Sequence, residues 1–249
     1  MLVLLPPSET KRPGGDGPSL DLDALALPSL RVPREQVVAG LVALSADAEA
    51  SARVLKLSAR RLHEVADNAA LRSAPTLPAV DRYTGVLFDA LDAETLDGTA
   101  RAWLGAHVLV HSAPFGPVGA LDGIPPYRLA ASTSLPGLPS LRKIWADAVT
   151  AAIREIRPPF VVDLRSEAYV ALGPVPADVG GVYVRVVSRG SDGVVRALNH
   201  FNKKAKGELT RSLAQSQARI GSLDDLLTWG RSAGHEMRSA GPGVVEVVV

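Results

Sequence analysis

The sequence predicts a mixed α+β protein folded as one domain, and three observations carry that prediction. Short apolar runs at Leu2–Leu5, His107–His111 and Phe160–Leu164 are patterned as buried strands. Between them, apolar residues recur at three- and four-residue spacing over Arg34–Leu44 and Leu141–Ile156, the period of amphipathic helices. Near the C-terminus, Gly181–Val187 and Val194–Asn199 flank Gly190-Ser191-Asp192-Gly193, a hairpin turn that makes part of the sheet antiparallel. With 249 residues, no internal repeat and no long linker, residues 1–249 read as a single domain.

Each element follows from its local pattern. The first strand is stopped by Pro6-Pro7, and Lys11–Pro18 is rich enough in Gly and Pro to be loop. A helical block spans about residues 34–70. Val37, Val38, Leu41, Val42 and Leu44 form one stripe, and Ala48–Leu57 and Ala59–Ala70 repeat the period. Ser45, Asp47 and Glu49 mark a helix start within it, since side-chain oxygens and acids suit a helix N-terminus. Pro75 and Pro78 close the block, Asp81–Gly85 reads as a polar turn, and Val86–Leu91 as an apolar helix. Pro114–Pro126 reads as loop. The helix Leu141–Ile156 buries Ile144, Trp145, Ala148, Val149, Ala152 and Ile153 and ends at Pro158-Pro159. Helices at Lys206–Ser216 and Leu223–Thr228 and a strand at Val244–Val249 complete the chain.

Composition excludes several chemistries. Without cysteine there is no disulfide, thiolate zinc site, iron–sulfur cluster or cysteine nucleophile. The five histidines show no metal-binding spacing, so neither a metal site nor a cofactor is expected. The apolar start is too short for a secretory signal, and nothing approaches the roughly 20 apolar residues of a membrane span. The protein is therefore expected in the cytoplasm, away from membranes. With 27 Lys+Arg against 26 Asp+Glu, any affinity for polyanions must come from a local patch.

Such a patch exists. Arg196–Arg211 holds five bases and one acid, a local charge of +4 in a chain whose total is +1. Lys203, Lys204 and Lys206 are placed between a strand and a helix start, with Arg211 one turn further on. There the helix dipole makes clustered bases costly unless an anion binds. Pro7–Lys11 and Asp163–Tyr169 occupy similar strand ends, each with a hydroxyl, an acid and a base within five residues. Lys11, Arg165 and the lysine cluster would then wall a polar cleft, with Glu9, Ser166 and Glu167 as candidate catalytic groups. Taken singly, Ser8 and Ser166 as helix caps is the simpler reading. Arg82-Tyr83-Thr84 and Tyr127-Arg128 are aromatic–basic pairs suited to stacking on bases and holding phosphates.

In this order, LLPPSETK, RYTGVLFDAL, PPYRLAASTSLPGL with LRKIWAD, DLRSEAYV and NHFNKKAKGELTRSL resemble the YaaA family of peroxide stress proteins, the DUF328/UPF0246 group, over nearly the whole chain. The resemblance implies a YaaA-like (cantaloupe-type) fold with a mixed sheet, flanking helices and a basic cleft. It also implies a helix-hairpin-helix near Asp47–Asn68, binding of double-stranded DNA and a role in limiting iron-linked oxidative damage. Carried over by position, the cleft includes Lys143 besides the residues above. Lys56-Leu57-Ser58-Ala59-Arg60 offers no glycine at the hairpin. Two functions follow as expectations: sequence-tolerant DNA binding in peroxide stress, or an enzyme acting on a nucleotide or other small anion in the same cleft.

Overall fold

The computed structural model describes residues 1–189, 195–196 and 199–249, without the side chains of 188, 189, 195, 196 and 199–201. The expected hairpin turn Gly190–Gly193 lies outside the described residues.

The chain opens with β1 (Leu2–Leu5), all four side chains buried. Within the stretch expected as loop comes β2 (Gly17–Ser19). Helix α1 (Arg31–Leu44) buries Val37, Val38, Leu41 and Leu44, the expected stripe apart from Val42. Ser45 ends this helix, its Oγ donating to the Leu41 carbonyl at 2.9 Å. Asp47 instead caps α2 (Ala48–Val54), accepting the Ala50 N–H at 2.9 Å. The single helix expected over Ala59–Ala70 is broken into a 3₁₀ turn, Ala59–Arg61, and α3 (Glu64–Ala69). Between α2 and α3, Lys56 takes a left-handed φ of 53°. The hairpin backbone thus makes the turn that a glycine would ease, at a cost of about 1 kcal/mol.

The proline-marked segments are the principal correction. Pro75–Pro78 is a strand, β3, with a proline at each end, and α4 (Ala79–Arg82) takes up the start of the expected polar turn. Next, α5 (Val86–Leu91) matches its expected bounds, and α6 (Gly98–His107), capped by Asp97, was not foreseen. His107 therefore belongs to a helix, and β4 runs Val108–Ser112. Pro114–Pro126, expected as loop, contains β5 (Gly116–Gly119) and β6 (Gly123–Ile124). Proline is tolerated there because β5 is an edge strand, where a missing N–H breaks no ladder bond.

Helix α7 (Leu141–Ile156) has the expected bounds and is capped by the Ser140 side chain on the Lys143 N–H. It leads through β7 (Val161–Asp163) and α8 (Glu167–Val170) to β8 (Gly181–Arg189), paired antiparallel with β9 (Val195–Arg196). Helix α9 (Asn199–Gln215) starts seven residues before its expected position, and α10 (Leu223–Ser232), β10 (Met237–Ser239) and β11 (Val244–Val248) follow. The early start of α9 was hidden because its inner face is built partly from small residues, Ala205 and Gly207, rather than a large apolar stripe.

The main sheet has the order β10-β11-β8-β7-β1-β4-β5. Its five central strands are mutually parallel, and β5, β9 and β10 are antiparallel additions. A small sheet β2-β3-β6 lies apart. Every residue of β1, β4 and β7 is buried, as expected of parallel strands covered on both faces. An arginine and a tryptophan brace the covering layers from inside. Arg34 donates to the carbonyls of Ala26, Leu27, Phe115 and Pro117 at 2.6–3.2 Å, tying α1 to β5. Trp145 of α7, fully buried, donates to the Ala113 carbonyl at 3.0 Å and lies on Gly116, where a Cβ would meet its ring at 2.9 Å.

Helix α9 crosses α5 at Gly207, where a Cβ would stand 2.1 Å from the Leu87 carbonyl oxygen and 2.9 Å from the Ala90 Cβ. Glycine-to-alanine changes in open helices stabilise by about 1 kcal/mol. Here the sign should reverse. Gly207→Ala is expected to lower stability in urea unfolding by about 1–3 kcal/mol or more, as overpacking does, and a gain would disprove the contact.

Candidate functional site

Because β1, β4 and β7 are parallel neighbours, their carboxyl ends open on one edge of the sheet. The segments that follow them meet there, the position at which open parallel sheets present ligand sites. After Pro6-Pro7 the chain turns, and Lys11 is fixed by a backbone bridge to Tyr83. Its side chain folds back, Nζ donating to the carbonyls of Ser8 at 3.0 Å and Glu9 at 3.2 Å. The same atom lies 4.0 Å from the Tyr127 ring centroid and 5.5 Å from that of Tyr83. The two phenol oxygens are 2.8 Å apart, and Ser112 donates to the Tyr127 oxygen at 3.2 Å. Burial holds both phenols above their usual range, so they stay protonated at neutral pH. Burial, then the neighbouring Arg128 guanidinium, pushes the Lys11 ammonium down to about 7.

A web of charges closes one side of this cluster. The Glu9 carboxylate accepts from Arg128 at 3.0 Å and lies 3.6 Å from Arg61. The Arg128 bond holds Glu9 below the usual carboxylate range. Arg61 also pairs with Glu64 at 2.9 Å, and Glu64 lies 3.7 Å from Arg128. Asn68 clamps the backbone of Arg128, donating to its carbonyl at 2.9 Å and accepting its N–H at 2.8 Å. Glu64 and Asn68 do not stand out in the sequence, although with Arg61 their three- and four-residue spacing marks one helical face. The hairpin-like segment is thus a wall of the cleft.

At the end of β7, Arg165 is fully buried, with Nε and Nη2 on the Asp163 carboxylate at 2.9 and 2.6 Å. Its Nη1 reaches the Gly173 carbonyl at 2.9 Å and His111 Nδ1 at 3.0 Å. A guanidinium only donates, so Nδ1 accepts and His111 carries its proton on Nε2. That atom is buried without a hydrogen-bond partner among the described residues. Burial, then Arg165, holds His111 well below its usual range, and the imidazole is neutral. Lys206 is buried, donates to the Arg165 carbonyl at 3.4 Å and lies 5.8 Å from the Tyr183 ring. Burial pushes its ammonium down to about 8. A cavity of about 370 Å³ opens beside Asp163 and Tyr183, beneath Pro174–Val179, with mainly apolar walls.

The structure thus brings together Glu9, Lys11, Tyr83, Tyr127 and Arg128, and joins Arg165 to Lys206. Other expected contacts take different places. Arg82 is fully buried, its guanidinium spent on the carbonyls of Arg12, Pro75 and Ile124, which braces the small sheet and leaves it no access to an anion. Arg165 is likewise consumed by Asp163. Arg211 binds the carbonyls of Leu91 and Asp92 at 2.8 and 2.7 Å, closing the end of α5. Thr84 accepts from the Thr10 hydroxyl at 3.2 Å through its carbonyl and borders a pocket of about 90 Å³ rich in acids. Ser166 and Glu167 are exposed at the start of α8, and among the described residues neither bonds to the Lys11 cluster. Lys143 is exposed in the first turn of α7. Lys203 and Lys204 stand beyond the first turn of α9 rather than at a strand–helix junction, so the dipole argument does not reach them. Both are exposed, Lys204 pairing with Glu208 at 3.2 Å. Among the described residues no three His, Asp or Glu are grouped to hold a metal, and no helix is long and apolar enough to cross a membrane.

Comparison with known proteins gives a consistent set of similarities. The family model described as peroxide stress protein YaaA matches residues 1–240. A UPF0246 protein of Corynebacterium efficiens is 44% identical over 238 residues, covering 94% of this chain and 93% of the relative. One from Streptomyces coelicolor is 39% identical over 246 residues, covering 97% and 94%.

Lys11 gives the site a measurable signature. It releases its proton near pH 7 in the fold and near 10.4 in the unfolded chain. The unfolded state therefore binds more protons across that window, so stability rises with pH there. Urea midpoints of the wild type, referenced to Lys11→Met, are expected to climb from about pH 7 to about pH 10. A flat difference would mean an ordinary exposed ammonium.

Proposed function

The chain belongs to the YaaA peroxide stress protein family, and from that premise we propose that it serves the peroxide stress response as an enzyme acting on a small anionic substrate. The substrate class is a nucleotide or another small phosphorylated or carboxylated molecule, bound where β1, β4 and β7 end. The observation that carries this reading is the setting of Lys11, half-buried between two tyrosines with Arg128 and Arg61 alongside. Such a nitrogen is useful in proton transfer or nucleophilic attack. The surrounding cations favour a small ligand over a duplex, because Arg82, Arg165 and Arg211 are engaged within the fold. Duplex binding needs a row of free cations along a backbone.

A second reading keeps double-stranded DNA as the partner in the cytoplasm. It is favoured by one observation: Arg53, Lys56 and Arg60 are exposed around the α2–α3 turn, as are Lys203 and Lys204 on α9.

The two readings separate in one pair of experiments. Nucleotides, phosphates and small carboxylates should raise the melting temperature, with saturation at a hundredfold excess over Kd adding about 2.7 kcal/mol. Arg128→Gln should abolish the shift. Mobility of duplex DNA should stay unchanged at low salt. Retardation that falls steeply with salt and weakens in a Lys203→Gln/Lys204→Gln variant, with no small-anion shift, would establish the DNA reading instead.

A further inference from the structure

The Glu9 carboxylate is oddly placed for a structural partner. Its side chain is 68% exposed, yet it bridges Arg128 and Arg61, the first of which is nearly buried. Because the carboxylate end of the pair faces solvent, Glu9 can turn out into water while a ligand carboxylate takes its place on the two guanidiniums. Arginine pairs of this kind suit planar carboxylates. Lys11 lies two residues from Glu9, and Arg128 is near enough to act on its charge. Whatever takes the place of Glu9 stands beside the Lys11 amine.

We propose that Lys11 is an imine-forming lysine for 2-oxo acids, whose carboxylate displaces Glu9 from Arg128 and Arg61 while the keto carbon condenses with Nζ. This deepens the small-anion reading and rests on it. A neutral amine keeps two N–H bonds, which the Ser8 and Glu9 carbonyls accept, and its lone pair is free to attack. Nitrogen adds to the keto carbon as the carbonyl electrons move to oxygen. Protons pass from nitrogen to that oxygen, and water leaves as C=N forms, with no change of oxidation state. Lys11 is suited to this at neutral pH because it is half deprotonated near pH 7, about 10³-fold more than an ordinary lysine. The chain has six lysines. Lys56, Lys143, Lys203 and Lys204 are exposed, and Lys206 is shut behind Tyr183 with its amine on the Arg165 carbonyl.

The test treats the full chain with pyruvate and cyanoborohydride at pH 7 and maps the reduced adduct by peptide mass spectrometry. Among the lysines one adduct is expected, at Lys11, formed at least about tenfold faster than at any other lysine and absent in Lys11→Arg; the α-amino group is labelled in both proteins. Glu9→Gln, an exposed change that leaves folding intact, should speed capture by loosening the competitor carboxylate. Because loss of the Glu9 charge also lowers the Lys11 ammonium, acetone, which has no carboxylate, is run beside pyruvate: a merely reactive lysine speeds equally with both, whereas the proposed site speeds more with pyruvate. Adducts spread evenly over the six lysines, or capture indifferent to Glu9, would overturn the proposal. A pyruvate-induced thermal shift without a lysine adduct would overturn the imine while leaving the small-anion reading standing. If neither pyruvate nor the wider panel of anions shifts the melting temperature and no lysine adduct forms, both fall.

Discussion

The guanidinium of Arg165 sits wholly inside the protein at the carboxyl end of β7, bonded to Asp163, to His111 on β4 and to the Gly173 carbonyl beyond α8. Its own carbonyl receives Lys206 from α9. The guanidinium thus joins the end of β7 to β4 and to the turn after α8, and the backbone carbonyl of the same residue adds α9. A buried pair of this sort adds little net stability over a well-packed apolar substitute, yet removing one partner strands a charge. Its consequence here is geometric: it sets the tautomer of His111, aligns the ends of the parallel strands and fixes the floor of the cleft.

The other interior arginines extend the same principle. Among the described residues Arg34 and Arg82 form no ion pair with a carboxylate and are satisfied by backbone carbonyls. Burial pushes both guanidiniums down to about 10, so they stay charged at neutral pH. The loops they hold would otherwise carry unpaired carbonyls inside the protein. This revises the meaning of the near-neutral composition. A share of the positive charge works inside as scaffolding, and the cleft keeps only the cations whose partners are exposed or incomplete, chiefly Arg128, Arg61 and Lys11.

Much of the fold was legible where one local signal dominated. The bounds of α5 and α7 and the proline stop after β1 follow from helical period, capping and the absent proline N–H. The reading failed where tertiary contacts override local signals. Pro117 sits in a strand because that strand lies at a sheet edge, a fact about neighbours rather than about proline. Lys56 makes a left-handed turn without glycine because the flanking helices require it. The glycine of the KKAKG segment serves the close crossing of two helices. The site shows the same division: Lys11, Tyr83, Tyr127 and Arg128 could be singled out as residues, while Arg61, Glu64 and Asn68 gave only a faint helical spacing.

The sequence by itself determined the class of fold, the absence of thiolate chemistry and the membership of a peroxide stress family, because composition, periodicity and motif order are properties of the chain alone. Only the tertiary structure decided which charges are available. An arginine and a lysine look alike in a sequence whether they face solvent or a ring of carbonyls. Burial and the dielectric around each nitrogen are set by residues distant in the chain, and those neighbours turn Arg165 into a brace and push the Lys11 ammonium toward neutrality.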